Sequence, residues 1–361
     1  MKIMTNRAVR FNVKNLFVQF YIVLPFLFYL PPYLLSLESG GVSLHFYKTF
    51  YIEESYFFRM LVGHVILGLG TYKLLSLFKF ELVFLNKKSI LSDIVVVLLF
   101  IASFTINIGY IQMLVLPLLY ILYSRRRPYN FTFLILFFVA FVQLVLGEDR
   151  FPVIQVALLA FIPYISRISS VKLFMYGMLV VFGLVFVLQP LRSGHLPLVG
   201  TSVFTDLAYF YQHLQPIYIG GYLLMEQDFS LLHLIAESVP FLKSLFGFES
   251  VIDTIGKIGL TSNVYDSGTR HGSNSSLFFS FYGAIILFTG VSLLAISAKF
   301  VKWRVFSNSI VLYFIVQGPY FVRRSFGTFL IDFVSVFICA CVVVLLIQLF
   351  RKKAENNETI A

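Results

Sequence analysis

Apolar runs long enough to cross a lipid bilayer recur along the chain, near residues 16–35, 57–78, 131–146, 173–190, 277–297, 308–322 and 329–350, separated by small basic groups. A helix rises 1.5 Å per residue, so about 20 apolar residues cross a hydrocarbon layer of roughly 30 Å. Lipid offers no hydrogen bonds, so each such run must pair its own backbone, and a helix does this within one segment. Composition agrees. Apolar side chains are 59% of the 361 residues and charged ones 12%, with a mean hydropathy of +0.87, where a soluble domain carries about a quarter charged residues. The expected fold is an all-α polytopic membrane protein. The 43 Phe and 21 Tyr suit lipid-facing surfaces and interfacial belts.

Shorter runs decide the parity. Asp93 to Tyr123 is too long for one ordinary span, and Asn107, Gly109 and Gln112 near its middle are costly at a bilayer centre, so it reads as two short helices turning near Asn107 to Gly109. Pro152 to Ser166 is counted as a thin span. About ten transmembrane helices result. With both termini inside, the cytoplasmic segments collect most of the 28 basic residues, among them Arg7, Arg10, Lys14, Lys73, Lys79, Arg125, Arg126, Arg127, Arg167, Lys172, Lys299, Lys302, Arg304 and Arg351. Of the acids only Glu81, Asp93, Glu355 and Glu358 accompany them. That is the positive-inside asymmetry. The chain then divides into a bundle of about seven spans (1–190), a long external, partly helical loop (191–276), and three further spans with a short tail (277–361). The first apolar run continues through Pro31 and Pro32, which reads as a retained span and not a cleaved signal.

The net charge of +11 is spread in small groups and lacks the concentrated patch that nucleic acid requires. Cys339 and Cys341 lie inside the last apolar run and indicate neither a disulfide framework nor a zinc site.

The external basic residues are the informative minority, since orientation does not require them: Lys48, Arg59, Arg150, Arg192, Lys243, Lys257, Arg270, Arg323 and Arg324. Arg150, Arg192 and the Arg323–Arg324 pair sit at helix ends. A guanidinium at headgroup level binds phosphate oxygens bidentately, and several could converge on one diphosphate; the same residues could also reach ordinary lipid phosphates. Within the loop, Val203 to Met225 reads as a helix carrying Tyr209, Tyr211, Tyr218 and Tyr222, whose rings could stack on sugars or anchor the interface. Leu231 to Phe246 is an amphipathic stretch broken at Pro240, able to fold against the membrane. Asp266, Arg270, His271 and Asn274 follow in a polar, glycine-rich segment before the eighth span. An outward His beside an Arg is a candidate general base, because imidazole titrates near neutrality; a solvated loop histidine is the plain alternative.

This layout resembles the Wzy-type polysaccharide polymerases, and more distantly the O-antigen ligases. The likeness rests on the short hairpin, Gly147-Glu148-Asp149-Arg150 before a short helix, and the late external loop followed by two or three spans. It implies that Arg150, Arg192 and Arg270 bind a diphosphate, and that His271, followed by Asn274, Leu277 and Gly283, is the base as in the ligases, with Asp266 as the other candidate. Arg323 and Arg324 join the diphosphate set; Asn274, Tyr209, Tyr211 and Tyr218 would face the glycan. The implied reaction joins undecaprenyl-diphosphate-linked oligosaccharide repeats, as both donor and acceptor, outside a bacterial cytoplasmic membrane, as in building O-antigen for lipopolysaccharide. A chain-length-regulating membrane protein is the expected further partner. No nucleotide-binding loop or clustered carboxylates appear, so neither cofactor nor metal is expected. Two other readings remain: a glycosyltransferase using a lipid-monophosphate sugar with Glu53-Glu54 as its acidic pair, and a lipid-linked oligosaccharide flippase. The second needs polar groups lining a midplane cavity, and Asn107, Gln143, Gln155 and Asp332 supply few.

Overall fold

A computed structural model of the chain describes residues 8–45, 49–85, 90–105, 120, 123, 130–145, 151–183, 215–226, 229–239, 241–249, 280–301, 303–323 and 326–358. Strand β1 (Ala8–Asn12) leads into helix α1 (Lys14–Ser39). Strands β2 (Gly41–His45) and β3 (Thr49–Glu53) precede α2 (Glu54–Ser76), and β4 (Glu81–Leu85) follows it. Then come α3 (Ile90–Thr105), α4 (Asn130–Val145), α5 (Phe151–Ile165), α6 (Ser170–Gly183), α7 (Gln215–Glu226), α8 (Leu231–Ser238) and α9 (Leu242–Phe246). The chain closes with α10 (Phe281–Phe300), α11 (Arg304–Gln317), a 3-10 turn (Gly318–Arg323) and α12 (Phe326–Glu358). Helices α1, α2 and α10 are long and apolar enough to cross a membrane, and α3, α4, α5, α6 and α12 contain shorter apolar stretches. The protein is thus a mostly helical membrane protein. The turn expected near Asn107 to Gly109 lies outside the described residues.

Two short antiparallel ladders depart from the all-helical expectation. In the first, β1 pairs with β4 so that Phe11 faces Leu82. Phe11, Leu82 and Phe84 are buried, while Arg10 reaches Glu81 at 3.9 Å. The β4 edge is closed by Asn308 of α11, whose Oδ1 accepts from the Val83 N–H (3.2 Å) and whose Nδ2 donates to the Val83 carbonyl (2.7 Å). An open strand edge is thereby removed. In the second ladder, β2 pairs with β3. Gly40, in the left-handed region at φ 69°, ends α1 and starts this hairpin.

Contacts sort the molecule into two ends. At one, the β1–β4 ladder meets the start of α11, Asn15 Nδ2 donates to the Ile168 carbonyl and Gln19 Nε2 to the Ser170 carbonyl. Arg10, Lys14, Arg167, Lys172 and Arg304 lie on these segments; the Lys14 cation over the Tyr72 ring, the Val13 N–H bonded to the Phe80 carbonyl and Ser307 Oγ donating to the Ala298 carbonyl bring Lys73, Lys79 and Lys299 to the same end. The other end holds the β2–β3 hairpin, the start of α2, and the start of α10; Glu38, Glu53 and Glu54 lie there. Most of the basic residues named here therefore gather at the first end, beside Glu81, while the second carries Arg59 among its acids.

Proline leaves its mark on the interior. Pro32 has no N–H to give the Phe28 carbonyl four residues back, and Tyr218 Oη of α7 donates to that carbonyl. Pro163 in α5 likewise has none for the Leu159 carbonyl, and Tyr123 Oη donates there at 2.9 Å. In lipid a freed carbonyl needs such a partner.

The run at 308–322, expected to span, does not. Helix α11 has 14 residues, about 21 Å of rise, and a Cβ on Gly318 would stand 2.4 Å from the Phe20 ring. Phe321 packs edge-on to Tyr21 at 4.7 Å. The chain thus turns back beside Phe20 and Tyr21, within the length of α1 and well short of its Ser39 end.

Candidate functional site

Along α2, Phe58, Arg59, Val62 and Ile66 recur at helical spacing on one face. They form one wall of an open groove of about 470 Å³. Leu224 and Met225 of α7, Leu234 of α8, and Ser280, Phe281 and Tyr282 at the start of α10 complete it. The lining is apolar except at one level. Phe281 is 3.4 Å from where a Cβ on Gly63 would stand, so the two helices are in register there. Arg59, one turn earlier on α2, stands about 6 Å beyond the start of α10. That is headgroup height for a bilayer crossed by α10. Arg59 is exposed and has no acid within ion-pair distance among the described residues. Ser280 Oγ accepts from the Gly283 N–H at 3.1 Å and caps α10. The positive end of that helix therefore reinforces the charge of Arg59. Below Arg59 the wall descends through Val62 to Ile66, about 10 Å of rise, with Ile66 63% exposed to the surroundings. A guanidinium above an apolar trough open to the side is complementary to a phosphate-headed lipid.

Two carboxylates adjoin this groove. Tyr222 of α7 packs edge-on against Tyr56 at 5.6 Å. Its phenol is pushed above its ordinary value, first by burial and then by the Glu226 and Glu53 carboxylates. Glu53, at the end of β3, and Glu226 and Tyr222 of α7 are therefore neighbours. Deeper on α2, His64 is buried between the rings of Tyr29 (4.7 Å) and Phe288 (5.6 Å). Its Nδ1–H donates to the Met60 carbonyl at 2.9 Å, which fixes the ring inside the α1–α2–α10 interface. Among the described residues no group of three or more His, Cys, Asp or Glu side chains is placed to hold a metal ion.

Of the residues singled out in the sequence, Arg150, Arg192, Tyr209, Tyr211, Asp266, Arg270, His271, Asn274 and Arg324 lie outside the described residues. Arg323 is the last residue of the turn after α11. That turn packs into the bundle through Phe321, whose ring meets Tyr21 edge-on. Tyr218 is reassigned: it is buried against Tyr29 and Phe57 and its hydroxyl mends the break made by Pro32, so its ring faces are not open to a sugar. Glu53 is exposed at the start of α2, and Glu54 lies in that helix's first turn. Sequence reading noted Arg59 as an external base without placing it in a site, and passed over Glu226 and His64. The available signal was the Phe58, Arg59, Val62, Ile66 spacing, which sets one cation on a lipid-facing stripe. No family model, no curated protein and no solved structure matches this chain.

Proposed function

We propose that the protein is a membrane glycosyltransferase that polymerises undecaprenyl-diphosphate-linked oligosaccharide repeats on the outer face of a bacterial cytoplasmic membrane. The observation that carries this reading is the groove under Arg59: an apolar trough open to the bilayer, topped by one cation and a helix N-terminus, at the end of the bundle opposite the basic end. With the basic end inside, that end faces outward. Polyisoprenoid chain would lie along Val62 and Ile66, and the phosphate would meet Arg59.

The chemistry follows from a glycosyl diphosphate. The acceptor hydroxyl, deprotonated by His271 or Asp266, attacks the anomeric carbon of the donor glycan. The glycosidic bond forms as the bond to the diphosphate oxygen breaks, and the leaving diphosphate takes the electron pair. Arginines stabilise the charge it gains. Arg59 joins Arg150, Arg192, Arg270, Arg323 and Arg324 as candidates for that task, and Asn274, Tyr209 and Tyr211 for holding glycan. The donor's own diphosphate bond supplies the driving force.

Gel ladders of surface glycan from cells carrying Arg59→Ala, Arg150→Ala, Arg192→Ala, Arg270→Ala or His271→Ala test the proposal, with membrane insertion checked for each. Single repeat units should accumulate. Long chains persisting in all five variants would overturn the reading.

The neighbourhood of Glu53, Tyr222 and Glu226 favours a second reading, transfer from a lipid-monophosphate sugar with a carboxylate as base. Under it, Glu53→Gln or Glu54→Gln abolishes transfer; under the polymerase reading both variants keep long chains.

A further inference from the structure

Helices α8 and α9 come from a segment whose sequence suits a loop outside the membrane, yet their contacts place them deeper. Gly290 lies nine residues into α10, about 14 Å from its start. A Cβ there would fall 2.2 Å from the tip of the Phe326 ring, so the first turn of α12 begins beside the middle of α10. The Ser238 carbonyl at the end of α8 is 3.3 Å from where a Cβ on Gly327 would stand. Helix α8 thus runs from Leu234, in the groove beside Phe281, down to the level of mid-α10.

Polar groups of this segment are tied to one another. Ser230 Oγ caps α8 by accepting from the His233 N–H at 3.1 Å. His233 Nε2 donates to the Glu249 carbonyl at 2.6 Å, and its ring stacks on Phe248 at 4.6 Å. Lys243 pairs with Glu237 at 3.6 Å, the carboxylate being almost wholly enclosed. Its tip turns large apolar side chains outward, Phe241 84% exposed and Leu245 74%, one helical turn apart, with Ser244 exposed between them. Phe241 also holds a left-handed backbone at φ 63°, a conformation that disfavours bulky side chains.

We infer that α8 and α9 form a re-entrant hairpin immersed in the leaflet at which α10 begins, with Phe241, Leu245 and Phe246 in contact with lipid acyl chains. The occupant of that face is lipid because the face follows directly on Ser238, which lies against Gly327 at the depth of a span, and on α8, whose Leu234 lines the groove with Phe58, Ile66 and Phe281. An aromatic and two aliphatic or aromatic neighbours at that depth gain from hydrocarbon what they would lose in water. Internal pairing of Lys243 with Glu237 lowers the cost of carrying both charges there. This inference holds whatever reaction the protein performs.

Trp303 is the chain's single tryptophan, so Trp303→Phe with Phe241→Trp gives one reporter. The full chain, one copy per phosphatidylcholine nanodisc, would be compared with discs made from lipids brominated along the acyl chain, and with aqueous iodide. The expected result is blue-shifted emission, loss of intensity with brominated lipid, and no loss with iodide. Leu245→Trp in the same background repeats the measurement should the first variant fail to fold. Quenching by iodide without quenching by bromine would place the hairpin in water and overturn the inference. A blue shift appearing only when discs hold several copies would assign the face to a second copy of the chain, and would overturn it equally.

Discussion

Tyr218 and Tyr123 do the same work on two different helices, because Pro32 and Pro163 each withhold a hydrogen bond from a carbonyl that lipid cannot serve. A polar pair inside a membrane is worth about 0.6 kcal/mol on average and up to about 1.7, so Tyr218→Phe should lower stability by about 1 kcal/mol. The mechanism makes a sharper demand. In a Pro32→Ala background the helix regains its own N–H donor, and Tyr218→Phe should then cost less; thermal unfolding of the four-member cycle in detergent measures the coupling. Equal costs in both backgrounds would show that the hydroxyl does something else. Tyr222 carries a pH prediction. Its raised phenol value means the folded protein holds the proton more tightly than the unfolded chain, whose value is near 10. The stabilisation is therefore complete below about pH 10 and is lost as pH rises through the raised value. Wild-type protein should lose more melting temperature than Tyr222→Phe over that alkaline range, and Glu226→Gln should narrow the gap. Glycines give a steric contrast. A methyl on Gly318 would press into Phe20, whereas one on Gly70 meets nothing within 4 Å. Gly318→Ala should therefore cost about 1–3 kcal/mol by overpacking, and Gly70→Ala should be neutral or stabilising by up to about 1 kcal/mol. Melting curves that shift alike for both would contradict this packing.

At the scale of elements, β4 and α11 are held together by the two hydrogen bonds of Asn308 to Val83. Removing them strands a backbone N–H and a carbonyl together, and Asn308→Ala should cost about 1–3 kcal/mol for each group left unpaired. Hydrogen exchange should quicken first at Leu82 to Phe84. Unchanged protection there would show the edge to be closed by other means. The helices themselves were legible from hydropathy: the runs at 16–35, 57–78 and 277–297 match α1, α2 and α10 because only length and apolarity matter to crossing lipid. The ladders were not legible, since Ala8–Asn12 and Glu81–Leu85 are each five residues long and pair across the whole of α1 and α2. Hydropathy also cannot report depth. The run at 308–322 is apolar whether it crosses or turns back, and what decides is the contact of Gly318 with Phe20. The same limit hid the position of α8, whose amphipathic pattern was visible while its descent beside α10 was not. Tyr218 was misread for a related reason: its partner is a carbonyl freed by a proline almost two hundred positions earlier, and no local pattern announces such a pair.

Over the whole molecule, the separation of charge predicts which way it sits. Arg10, Lys14, Lys73, Lys79, Arg167, Lys172, Lys299 and Arg304 share one end with few acids, while Glu38, Glu53 and Glu54 lie at the other. Translocating a cluster of Lys and Arg is unfavourable in short connecting segments, so the prediction is that the basic end stays in the cytoplasm. The ends are tied by contacts far apart in sequence, such as Asn15 with Ile168 and Val83 with Asn308. Orientation is therefore a property of the assembled bundle and fixes all these segments together. A green fluorescent protein joined after Lys79, Lys172 or Trp303 should fluoresce, since each point lies at the basic end. Alkaline phosphatase, which needs an oxidising compartment for its disulfides, should be active when joined after Glu53 or Glu249 and inactive after the other three. Phosphatase activity after Lys172 or Trp303 would reverse the molecule, put the Arg59 groove on the cytoplasmic side, and remove the external polymerase. Substituting Arg167 and Lys172 by Glu should shift the fusion pattern toward that reversed state if charge sets it. An unchanged pattern would show that packing of α1, α2 and α10 sets the orientation instead.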